Sequence, residues 1–158
     1  MDLAHLWRLL HLFFSFAFVG SLMVAEWNGR AARRATDWTE RATLYHVVHV
    51  SARTSGIGAL VLLGVFGHLT AVSLGYSMRT ETWLWWVTGL WLAAIAVMAL
   101  VVLPAAARLA ATSGIGAAGG EPAGHDAARG RWRLGNVVMS LLYLALLALM
   151  VFRWRSPA

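Results

Sequence analysis

The sequence predicts an all-α membrane protein: a four-transmembrane-helix bundle, antiparallel and up-down, with both termini on the outer (periplasmic) side. Three observations carry this. Of the 158 residues, 59% are hydrophobic and the mean hydropathy is +0.65, a balance that soluble domains do not show. Four apolar runs, about 4–26, 44–75, 83–107 and 134–153, each reach the roughly 20 residues that cross a bilayer. The 13 basic residues are all arginine and gather at the ends of those runs, as orientation signals do. The whole chain, 1–158, reads as a single integral membrane domain.

The first run, Leu9–Ala25 with a start near Leu3, is a membrane helix and not a signal peptide. Its leading segment holds one arginine, and Glu26 follows with no A-x-A site. Asn28–Arg41 is a polar connector, after which Thr43–Arg53 continues as helix into the second span. That span contains Gly56–Gly75, about twenty residues without a charge. Tyr76–Thr82 is a short turn, and the third helix starts at Trp83, with Pro104 tolerated near its end where the backbone nears the interface. Ala110–Gly130, rich in Gly and Ala and broken by Pro122, reads as a flexible cytoplasmic loop. The last helix is Leu134–Phe152.

Arginine placement sets the orientation. The connectors between helices 1 and 2 and between 3 and 4 hold Arg30, Arg33, Arg34, Arg41, Arg53, Arg108, Arg129, Arg131 and Arg133. The other side holds Arg8, Arg79, Arg153 and Arg155. The longer set marks the cytoplasm, and Trp7, Trp83, Trp85, Trp86 and Trp154 then form an outer aromatic belt. The net charge of +6 is therefore topological, and nucleic acid is not an expected partner because no soluble basic domain exists to carry such a surface. With no cysteine in the chain, disulfides, thiolate metal sites, iron–sulfur clusters and covalent haem attachment are all excluded.

Two of the six histidines, His11 and His68, lie within the expected hydrocarbon. An ionisable side chain at that depth is costly and points to function. His11 lies 15 residues from Glu26, and His68 lies 15 from Arg53, so both sit about 22 Å from the cytoplasmic boundary at 1.5 Å per residue. Ile57, Val61, Gly64, Ala71 and Gly75 share the His68 face; Ser15 and Phe18 share that of His11, with Arg8 one turn outward. Two imidazoles at matched depth suit bis-histidine ligation of one b-type haem, with Gly64 leaving room for the porphyrin and Arg8 placed to pair with propionates. The competing account has each histidine hydrogen-bonded across a helix interface, with Ser15, Thr70 and Ser73 available. His46 and His49, an i, i+3 pair at the depth of Glu26, form a weaker candidate metal site. The tryptophans of helix 3 read mainly as belt and packing residues, and Met23, Met98, Met139 and Met150 as lipid-facing or core residues.

The opening LLHLFFSFAFVGSLMV, with its Leu-His and a glycine nine residues later, resembles small four-helix bacterial membrane proteins of the copper resistance D-like (CopD-like) group. It is most similar to relatives described only as predicted integral membrane proteins. The Arg-rich first connector, the glycine-rich second helix, the Trp-rich start of the third and its VVLPAAARL ending extend the resemblance over nearly the whole chain. The resemblance implies copper handling, although the helices lack a dense Met/His ladder. In the same neighbourhood, membrane protoporphyrinogen oxidases use a helix 1 histidine, which His11 matches, and a lysine with b haem. This chain has no lysine, which argues against that activity.

The leading functional expectation is a b-type haem-binding subunit of the bacterial inner membrane that mediates electron transfer inside a larger complex. It would meet the lipid bilayer, other membrane or periplasmic redox subunits, and a quinone. The alternatives are a copper-handling or transport protein and a cofactor-free structural subunit. No catalytic residue is assigned.

Overall fold

A computed structural model describes residues 2–152. Over them the regular secondary structure is all helical and forms four long helices: α1 (Leu3–Arg34), α2 (Trp38–Ser73), α3 (Thr82–Ala117) and α4 (His125–Phe152). All four are long and apolar enough to cross a membrane. Arg153, Trp154 and Arg155, counted above on the outer side, lie outside the described residues.

The helices run to 28–36 residues, or roughly 42–54 Å at 1.5 Å per residue, against about 30 Å of hydrocarbon. The structure departs most from the expected boundaries at the Arg-rich end. The connector placed at Asn28–Arg41 shrinks to residues 35–37, between α1 and α2. Asp37 caps α2 by accepting from the Glu40 N–H at 3.2 Å. That N–H holds the Asp37 carboxyl below its ordinary value. Arg41 closes the other side of the turn, donating to the Ala32 carbonyl in the last turn of α1 at 3.2 Å and to the carbonyl of the C-cap residue Ala35 at 2.7 Å.

The flexible loop expected over 110–130 is not observed. α3 continues to Ala117 and α4 begins at His125. Small residues read as loop formers here serve close packing: Ser113 is fully buried, and Gly116 lies directly under the Trp38 indole of α2. The turn itself needs glycine, because Gly119 and Gly124 have φ of +80° and +78°. Next to it the buried His125 ring packs edge-on to both Trp38 and Tyr45 and bonds the Thr112 hydroxyl at 2.9 Å.

α2 and α3 each contain one π-helical turn, Ala52–Gly56 and Met98–Val102. Gly56 and the Met98 side chain meet between them, so the two turns lie at one depth. Pro104 follows the second turn, where the widened ladder accommodates a residue with no N–H. Below the π turns α2 and α3 pack closely; beyond them they touch little, and the space between them opens.

The interior is lined by Phe18, Tyr45, Val48, Leu60, Met98, Val102, Leu109, Trp132 and Met139, all nearly inaccessible. Phe13, Phe16, Met23, Leu100, Leu141, Leu144 and Val151 face outward and are well exposed, a surface suited to contact with a lipid bilayer. Three tryptophans fix neighbouring helices by lying on glycines: Trp132 of α4 on Gly29 of α1, Trp91 of α3 on Gly64 of α2, and Trp38 of α2 on Gly116 of α3. A Cβ at any of these glycines meets indole atoms at contact distances that real side chains do not show.

Gly29→Ala should therefore lower stability by about 1–3 kcal/mol through overpacking. Gly58→Ala, where a Cβ meets nothing within 4 Å, should be neutral or slightly stabilising. Thermal unfolding of both variants in detergent checks this pair.

Candidate functional site

The divergence of α2 and α3 beyond the π turns leaves a cavity of about 370 Å³ at the end of the bundle where α1 begins. This is the low end of the size range for small-molecule sites, about 300–1,000 Å³. α1 contributes Arg8 and His11; α2 contributes Leu63, Gly64, Gly67, His68 and Thr70; α3 contributes Trp83 and Trp91; and α4 closes one side with Leu146 and Met150. Both intramembrane histidines thus line one cavity, together with Arg8 and Gly64. Ser15 is not on its lining; its hydroxyl donates to the His11 carbonyl within its own helix, at 2.7 Å.

The imidazoles are held by their Nδ1 atoms. His11 Nδ1 lies 2.7 Å from the Leu63 carbonyl across the α1–α2 interface. His68 Nδ1 lies 2.8 Å from the Gly64 carbonyl one turn back. A carbonyl only accepts, so both Nδ1 atoms carry the hydrogen in the neutral rings and both Nε2 atoms carry the lone pair. A third ring joins them: the Trp91 indole N–H donates to the Leu60 carbonyl at 2.8 Å, with its ring 5.6 Å from that of His68. Leu60, Leu63 and Gly64 therefore offer second lone pairs of their carbonyls to rings from three helices.

The close approaches depend on glycine. A Cβ at Gly64 would overlap the Trp91 indole, and one at Gly67 would sit 3.0 Å from His11 Nδ1. The expected porphyrin clearance over Gly64 is thus occupied by a ring of the protein itself. Outside the site, Phe66 stacks between Trp7 and Phe14 of α1 and holds α1 against this stretch of α2.

A b haem between the two histidines needs both Nε2 atoms to converge on one iron, with a slot one ring thick between them. The Nδ1 anchoring has the pattern found behind metal-ligating histidines. The space is different: His68 turns its Nε2 to the Thr88 hydroxyl of α3 at 2.8 Å, His11 lies against Gly67, and Trp91 fills the groove at Gly64. In this arrangement the residues do not fit a porphyrin.

The weaker metal site is not assembled either. Glu26 pairs with Arg30 at 2.8 Å and approaches Arg33 at 4.0 Å. Among the described residues no group of three or more His, Cys, Asp or Glu side chains gathers with metal-holding geometry, at His46 and His49 or elsewhere. His49 Nδ1 is buried with no partner.

Thr88 is the site residue that sequence reasoning missed, and Trp91, read mainly as a belt and packing residue, joins it at the site. They stand at i, i+3 on one face of α3, spacing that brings a hydroxyl and an indole to the same neighbour. No family model, curated protein or solved structure matches the chain.

Trp91→Phe keeps the ring over Gly64 and removes the donor, so it should cost about 1 kcal/mol. Gly64→Ala expels the ring and should cost about 1–3 kcal/mol. Chemical denaturation in mixed micelles, followed by far-UV circular dichroism, measures both.

Proposed function

We propose that this chain is a multi-pass subunit of the bacterial inner membrane that serves electron transfer within a larger complex. Its cavity binds a lipid-soluble, quinone-class ring. The observation that carries this reading is the pair of Nδ1-anchored imidazoles on one ring-sized, largely apolar cavity between membrane-spanning helices. A few convergent polar groups in an apolar cleft are the usual form of a small-molecule site. Such a site favours a flat apolar ring carrying two opposed oxygens. Trp83 and Trp91 provide aromatic walls, and Arg8, itself exposed, provides a cation near the end of α1.

The arginine distribution supports an orientation with the long Arg-rich end in the cytoplasm and both termini outside. The cavity is then in the outer half of the membrane, where a ligand enters sideways from lipid and electrons pass to a periplasmic or membrane partner.

A second reading, b haem ligated by Nε2 of His11 and His68, is favoured by the Nδ1 anchoring alone and requires His68 to leave Thr88. Copper handling is the third; it has two imidazoles and Met150 on the cavity lining as soft or borderline donors.

Protein purified in mild detergent should carry a quinone extractable into hexane, and its content should fall at least about fivefold in His68→Phe with the helical signal intact. A Soret band and a sharp reduced α-band, both lost in His11→Ala and His68→Ala, would overturn the quinone reading in favour of haem. Copper bound in the same His-dependent way would favour the third.

A further inference from the structure

We infer that the cavity selects the hydrogen-donating form of its ring ligand, a quinol over the corresponding quinone. The inference rests on the quinone-class reading above and adds which redox form is recognised.

The argument is a count of hydrogens. Around His68 there are three short contacts: Nδ1 to the Gly64 carbonyl at 2.8 Å, Nε2 to Thr88 Oγ1 at 2.8 Å, and Thr88 Oγ1 to the Leu84 carbonyl at 2.7 Å. A neutral imidazole and one hydroxyl supply two hydrogens between them. The first contact takes the ring hydrogen, because a carbonyl only accepts. The hydroxyl hydrogen serves either Leu84 or His68 Nε2, so the chain of contacts is one hydrogen short. His11 presents the same deficit more simply, since its Nδ1 hydrogen is committed to Leu63 and its Nε2 has no hydrogen-bond partner among the described residues.

Three side-chain donors on the lining are engaged elsewhere. Trp83 donates to Glu81 Oε2 at 2.9 Å, Trp91 to the Leu60 carbonyl at 2.8 Å, and Thr70 to the Phe66 carbonyl at 2.8 Å. The histidine end of the cavity is therefore rich in acceptors and poor in donors. A quinol hydroxyl gives His68 Nε2 the missing hydrogen and leaves Thr88 bonded to Leu84. A quinone carbonyl sets lone pair against lone pair and leaves buried acceptors unmet, which is costly in an apolar cavity. Arg8 does not reverse this preference, because its guanidinium donates equally well to a quinol or a quinone oxygen.

The test uses the full-length protein in lipid nanodiscs, without oxygen, titrated calorimetrically with a short-chain benzoquinol and its benzoquinone. The buffer is set about two pH units above the ordinary imidazole value, so that an added ring proton does not supply the missing hydrogen. The quinol should bind about tenfold tighter or more. Thr88→Val, which removes the competing hydroxyl, should keep the preference, and the double variant His11→Phe/His68→Phe should abolish it. Equal or tighter binding of the quinone, or a preference that survives in the double variant, would overturn the inference and leave the quinone-class reading in place. If neither form binds, both fall.

Discussion

Hydrocarbon offers a side-chain N–H no water to bond, so each ring N–H carried into the bundle must find a carbonyl. In this protein the half of the bundle where α1 begins is built around that requirement. The carbonyls of Leu60, Leu63 and Gly64 on α2 receive the indole of Trp91, the imidazole of His11 and the imidazole of His68. Those carbonyls already accept within their helix, and the rings take the remaining lone pairs. The contacts exist only because Gly64 and Gly67 present no Cβ. The same few bonds tie α1 and α3 to α2, fix the tautomers of both histidines, and leave both Nε2 atoms unprotonated, that of His68 against the Thr88 hydroxyl.

The two ends of the bundle solve different problems. At the Arg-rich end the helices pack through small residues, with Trp38 on Gly116 and His125 enclosed by Trp38, Tyr45 and Thr112. At the other end α2 and α3 part after their π turns, and the gap becomes the cavity. π turns are frequent at functional sites because they shift the register of a helix without ending it. Here they stand where the tight half gives way to the open one.

Much of this was legible in the sequence, though unevenly. Uninterrupted apolar length gives the number of spans, and the equal distances from Glu26 to His11 and from Arg53 to His68 anticipate that the histidines share a level. Depth, however, is only one coordinate. The rotation that turns His68 to Thr88 depends on side chains of α3 far away in sequence, and nothing local to Gly56–Gly75 encodes it. Glycines next to a histidine look the same whether they clear space for a ligand or for the protein's own rings; here they serve Trp91 and His11. Ala110–Gly130 misleads for a related reason: Gly, Ala and Ser read as loop by propensity, while tertiary packing against α2 keeps most of that stretch helical.

The central claim is that both membrane histidines are anchored through Nδ1 and carry unprotonated Nε2 atoms, that of His68 against the Thr88 hydroxyl. Solid-state ¹⁵N spectra of histidine-labelled protein in lipid bilayers, assigned with His11→Phe and His68→Phe, test it most directly. At alkaline pH both rings should show a protonated, hydrogen-bonded Nδ1 and an unprotonated Nε2. A protonated Nε2 with a bare Nδ1 at either residue would contradict the account.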